Sequence, residues 1–165
     1  MVAAEETLTE ESTEIKLDIL KDIPNPQEFP WPVKSGTISE ISCVGVFEYV
    51  PGRLRGKFMD EVYRILVPEG KAAFAVPYWN TARGYQDFRY EWPPLCEQSF
   101  LYFNKGWREQ NKLEIDMIAD FEFSYGYSCE AETAARNEES RSFYIKHYTN
   151  CVDALHLMMT KRPNS

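Results

Sequence analysis

No two of the four cysteines stand in a C-x-x-C pair. Cys43, Cys96, Cys129 and Cys151 are scattered along the chain, which excludes a zinc knuckle or a dithiol redox motif and leaves reduced structural thiols. Histidine is scarce as well, with only His147 and His156. A histidine in an alternating strand segment, as His156 is, serves more often in packing or at an edge than as a base, and no metal site is expected. Positive charge is in deficit: 18 Lys and Arg against 26 Asp and Glu leave a net charge of -8, which argues against nucleic acid or an anionic membrane as the main partner. Nor does any apolar run approach the ~20 residues that span a bilayer. The first residues, MVAAEETLTEE, are acidic where a secretory signal would be basic and then apolar. These absences predict a soluble, cytoplasmic protein.

Apolar and aromatic residues are in good supply. At 44% hydrophobic and 15% aromatic, 165 residues can bury one core, so a single domain over 15–165 is expected behind an acidic tail, 1–14, too poor in large apolar side chains to order itself. Residues 15–20, IKLDIL, alternate as a short strand does. The prolines and the aromatic pair Phe29 and Trp31 of IPNPQEFPWP then forbid a regular element. Residues 38–46, ISEISCVGV, read as a strand buried on both faces. Between 54 and 66, Leu54, Phe58, Val62, Ile65 and Leu66 form one helical stripe, stopped by Pro68 and Gly70. Residues 71–76, KAAFAV, are a further buried strand closed by Pro77. Strand, helix and strand of this kind predict a parallel βαβ crossover. Residues 118–127 and 151–160 read as two more strands, separated by a long polar segment with helical character around 131–137. The expectation is an antiparallel pair added at the edge of the parallel strands.

Three pieces of sequence carry a resemblance. After the second strand comes Val46-Phe47-Glu48-Tyr49-Val50; the helix ends in Glu61, Arg64, Leu66, Pro68, Glu69 and Gly70; beyond the third strand stand Pro77, Ala82, Arg83, Asp87, Phe88, Arg89 and Tyr90. Over roughly 15–162 the chain is similar to the C-terminal two-thirds of a class I S-adenosylmethionine-dependent methyltransferase domain. The resemblance implies a truncated, doubly wound Rossmann-like α/β sheet, with parallel strands and a C-terminal antiparallel pair, and S-adenosylmethionine as the family's cofactor. It places Asp18 where the family reaches the adenine amino group. It also places Glu48, Tyr49, Arg83, Asp87 and Tyr90 where acceptor positioning or base chemistry would occur; the plainer reading is a capped turn, an Arg83–Asp87 ion pair and packed tyrosines.

The cofactor half of the family's pattern is missing. The eight glycines never form G-x-G, and only seventeen residues precede Asp18. Each polar group of a buried cofactor left unpaired loses about 1 to 3 kcal/mol, so binding of the cofactor by this chain alone is not expected. The family's first two strands lie between its third and fourth, so their loss opens a gap of about 14 Å in the sheet. Either 15–20 slides inward against 38–46, or a second copy or a different chain completes the sheet at its open edge. Ten aromatic residues between Tyr78 and Trp107, with Arg83, Arg89, Lys105 and Arg108 among them, offer a stacking surface or a lid over the core. Two classes of function follow: a methyltransferase or methyltransferase subunit without independent activity, and a non-catalytic interaction or assembly protein, a shortened domain of the kind a compact viral genome would keep.

Overall fold

The computed structural model describes residues 15–163, and the expected acidic tail at 1–14 lies outside the described residues. The elements follow in the order β1 (Lys16–Asp18), α1 (Ile19–Asp22), β2 (Ile38–Val44), α2 (Gly52–Ile65), β3 (Leu66–Pro77), α3 (Glu97–Leu101), α4 (Lys105–Gln110), β4 (Phe121–Cys129), α5 (Ala131–Ala134), α6 (Glu138–His147) and β5 (Val152–Lys161). They form one five-stranded sheet in the order β1-β2-β3-β5-β4. The first three strands are parallel, and β5 runs antiparallel to both of its neighbours. The expected α/β sheet with a C-terminal antiparallel pair is therefore present.

The gap is closed by contraction. Leu17 lies in register with Ile41, and Asp18 with Ser42, so β1 occupies the position beside β2 directly. The first strand is shorter than its alternation predicts: Asp18 accepts the Leu20 N–H at 3.1 Å and starts α1, ending the strand there. Asp18 is thus an N-cap, a local competitor that strand periodicity does not register. The fourth strand also begins later than 118, because Asp60 Oδ1 accepts both the Ile118 and Ala119 N–H groups at 2.9 Å and holds them off the sheet.

The stripe of α2 explains the core. Phe58, Met59, Val62 and Ile65 are wholly buried, and they join one core with Phe74 from the sheet, Phe47 from the turn after β2 and Phe100 from α3. Each such side chain contributes about 1.5 to 3 kcal/mol by leaving water. The Glu61 and Arg64 pair of the helix-to-strand motif has a structural task. Glu61 Oε2 accepts the Trp31 N–H at 2.7 Å, while Arg64 donates to the Trp31 and Val33 carbonyls and to Glu61 itself. Together they pin the proline-rich loop, seating Trp31 edge-on against Phe58. The strand β3 starts directly at Leu66 and bulges past β2 before Lys71, with Glu69 at φ 61° and a Cβ on Gly70 placed 2.9 Å from the Val67 carbonyl oxygen. Pro68 and Gly70 therefore lie within the strand, and the helix has already ended at Ile65. Lys161 Nζ satisfies the carbonyls of Tyr63 and Leu66 at 2.8 Å each, tying β5 to the end of α2.

Among the described residues no helix covers one face of this sheet. Alternate residues Ala72, Phe74 and Val76 of β3 are buried, as are Leu155, Leu157 and Met159 of β5. Their neighbours in sequence face the other way, in rows such as Ser124, Met158, Ala73 and Ser42. On that side Val44 and Met158 are 52% and 44% exposed. The continuous apolar run in 38–46 therefore does not mark a strand buried on both faces. Among the described residues no helix is long and apolar enough to cross a membrane.

Candidate functional site

Two segments build a cavity outside the carboxyl ends of the parallel strands, where ligands of open α/β sheets bind. The first follows β2, where Gly45 turns the chain at φ 70° and a single turn of 3-10 helix, Phe47–Tyr49, presents Glu48 and Tyr49. The second is the loop after β3, through residues 84–95. The cavity measures about 180 Å³, and its lining includes Glu48, Arg55, Asp87, Tyr90, Glu91 and Trp92.

Arg55 holds the second segment in place. It is 7% exposed, and it donates from Nε to the Val50 carbonyl, from Nη1 to Pro93 and from Nη2 to Glu91, at 3.1, 2.7 and 3.0 Å. A fixed fork of donors suits three carbonyls arranged around one cation. The backbone of Glu91 also donates to the Glu48 carbonyl at 2.9 Å, joining the two walls.

Of the residues singled out by resemblance, the structure brings four together. Tyr49 Oη donates to Asp87 Oδ2 at 3.1 Å, and the Tyr49 and Tyr90 rings pack at a tilt, 5.1 Å between centroids. Arg89 binds Asp87 through Nη2 at 2.6 Å and Nε at 3.0 Å, with its guanidinium 5.3 Å from the Tyr49 ring centre. The Arg89 side chain holds the Asp87 carboxyl well below the usual range. Desolvation and the bond to Asp87 push the Tyr49 hydroxyl up to about 12, so it stays protonated and acts as a donor. Glu48 lines the same cavity at 8% exposure, and its Oε2 has no hydrogen-bond partner. Burial raises its pKa, against the pull of the backbone N–H groups of Glu48 and Val46 and of Arg55.

The fifth residue is elsewhere. Arg83 pairs with Asp153 at 3.0 Å, not with Asp87, because the loop turns it towards the start of β5. The expected Arg83–Asp87 pair is replaced by Arg89–Asp87, two residues apart. Asp18 lies on the sheet edge with its carboxylate engaged by the Leu20 N–H and by Lys21 Nζ at 2.7 Å. Arg55 went unremarked in the sequence, since a lone arginine in an amphipathic helix reads as solvent-facing; no local signal identifies its three acceptors. The aromatic segment divides in two: Tyr78, Phe100 and Phe103 join the core, while Tyr85, Phe88 and Trp92 are exposed. Tyr78 and Tyr127 both donate to Glu97 Oε1, fixing the base of that segment to β4.

No protein-family model matches this sequence, and no curated protein matches it. Solved structures do resemble it. A SAM-dependent methyltransferase from Archaeoglobus fulgidus superposes with a TM-score of 0.51 at 10% identity, over 78% of this chain and 62% of its own. One from Methanosarcina mazei gives 0.50 at 12% identity, over 85% of this chain and 66% of its own. The chain thus spans less than two-thirds of the length of either relative. At such identities the likeness is one of fold: the chain has the class I SAM-dependent methyltransferase-like fold.

Proposed function

We propose that this chain is a methyltransferase-like protein that keeps the acceptor-side cavity of the fold and, by itself, neither binds S-adenosylmethionine nor transfers methyl groups. The observation that carries this reading is the contact of β1 with β2. The position beside β2, where the resemblance places the family's cofactor-binding strands, is taken by β1 in register. The one cofactor residue the resemblance supplies, Asp18, spends its carboxylate on capping α1 and on Lys21. Without a glycine turn or a free carboxylate for the ribose, the residues present do not fit the cofactor. Glu48, Tyr49, Asp87 and Tyr90 then serve to bind and orient a ligand, with Arg83 outside the cavity.

The uncovered sheet face favours a second element of the reading. Exposed Val44 and Met158 lie among small side chains on a surface that the doubly wound fold covers with helices. A second copy of this chain, or a different polypeptide, fits that face, and the protein serves in assembly. A methyltransferase completed in this way needs β1 displaced before cofactor strands can enter.

Calorimetric titration with S-adenosylmethionine and S-adenosylhomocysteine, with sedimentation in the same buffer, tests both elements. No saturable heat together with a dimer or larger assembly is the expected result. Micromolar binding of either compound overturns the first element, and a monomer at all concentrations overturns self-assembly through the uncovered face.

A further inference from the structure

We infer that the cavity between Glu48 and Trp92 is a binding site for a small organic ammonium ion, with the Glu48 carboxylate as its counter-charge. The inference rests on reading this cavity as a ligand site and is independent of whether the cofactor binds. The unspent hydrogen-bonding capacity decides the ligand's charge. Arg55 is a cation in the lining, but three of its five N–H groups are given to backbone carbonyls, which fixes its guanidinium as a clamp on the loop. Asp87 is satisfied by Arg89 and Tyr49. Glu48 alone brings a buried carboxylate oxygen with no partner.

A buried carboxylate oxygen left without a donor, as Oε2 of Glu48 is, is destabilising, and a cation brought to it offsets that penalty. The rest of the wall suits an alkylated ammonium rather than a hydrated metal ion. Tyr90 and Trp92 supply aromatic faces, which attract organic cations, and Trp92 is 74% exposed at the mouth. At about 180 Å³ the space is smaller than the roughly 300 Å³ at which drug-sized ligands begin, so the ligand's charged end is small.

The test is a titration with tetramethylammonium chloride, followed by the indole N–H signals of the tryptophans, against tert-butanol as a neutral compound of similar shape. Saturable movement of Trp92 but not of the buried Trp31, absent with tert-butanol, is expected. Glu48→Gln should weaken binding about tenfold and Trp92→Ala several-fold, as loss of a charge partner and of a ring would. Trp92 is exposed, so its variant retains the fold even if the Glu48 variant does not. No saturable shift, equal shifts with tert-butanol, or undiminished binding by a folded Glu48→Gln variant overturns the proposal. Failure of the cofactor reading shows separately, as calorimetric heat with both S-adenosylmethionine and the uncharged thioether S-adenosylhomocysteine.

Discussion

The two faces of one sheet differ in what covers them. On one face Phe74 sits at 2% exposure beneath Phe47 and Phe100, and on the other Met158, in the strand next to it, is 44% exposed. The same strands supply both, so the difference comes from what the rest of the chain provides. The segments after β2 and β3 fold back as α2, α3 and α4 over one side, and no described helix returns to the other. A sheet of this fold can therefore hold itself together from one face, with Glu61, Arg64 and Lys161 anchoring loops and strands to the covering helix.

The largest effect that would sharpen this contrast is Phe74→Ala, which should destabilise by about 3 to 5 kcal/mol in urea unfolding, as truncation of a buried ring does. A loss below about 1 kcal/mol would mean that the covered face is not the core. Arg55→Met should follow, with about 2 kcal/mol lost on thermal unfolding and faster proteolysis between residues 84 and 95, since three carbonyls lose their donor. Unchanged proteolysis would show that this loop is held by something else. Glu48→Gln should act in the opposite direction, raising stability at neutral pH by about 1 kcal/mol. The sign follows from its raised pKa: the folded state holds the proton more tightly, so the contribution is favourable below the unfolded value and is lost as pH rises through the folded one. The wild-type advantage should therefore shrink from acid to neutral pH, with no such trend from this position in the variant. Smallest of all, Met158→Thr should change monomer stability by no more than about 0.5 kcal/mol while weakening self-association. A loss of several kcal/mol without change in association would break the comparison, because it would place Met158 inside the packed protein.

The covered half was legible in the sequence because its signals are periodic or local. The stripe Phe58, Val62 and Ile65 gave the helix, and the apolar strands on either side of it gave the parallel crossover. The helix-to-strand motif could be seen but not explained, since the loop that Glu61 and Arg64 grip lies some thirty residues earlier. Non-local choices were hidden. The pairing of β1 with β2 could be posed as one of three ways to close the sheet but not chosen among them. That Arg83 finds Asp153 and Arg55 gathers three carbonyls likewise depends on approaches between distant segments, for which composition and spacing carry no mark. Helix α6 was missed for another reason. Asn137 caps it through the Ser140 N–H, with Glu138 and Glu139 in its first turn, but no residue of it is buried, so no apolar stripe announces it. For the candidate site, the resemblance singled out Glu48, Tyr49, Asp87 and Tyr90 as candidates, and the geometry adds Arg55 and Arg89 beside them.

The contraction of the sheet is tested most directly by backbone nuclear Overhauser contacts between strands β1 and β2, measured with and without S-adenosylmethionine. Contacts linking residues 16–18 to 40–42 that persist unchanged at millimolar cofactor are predicted by the direct pairing of the two strands. Their absence, or their loss when the cofactor is added, would show that the position beside β2 is open and would contradict the account.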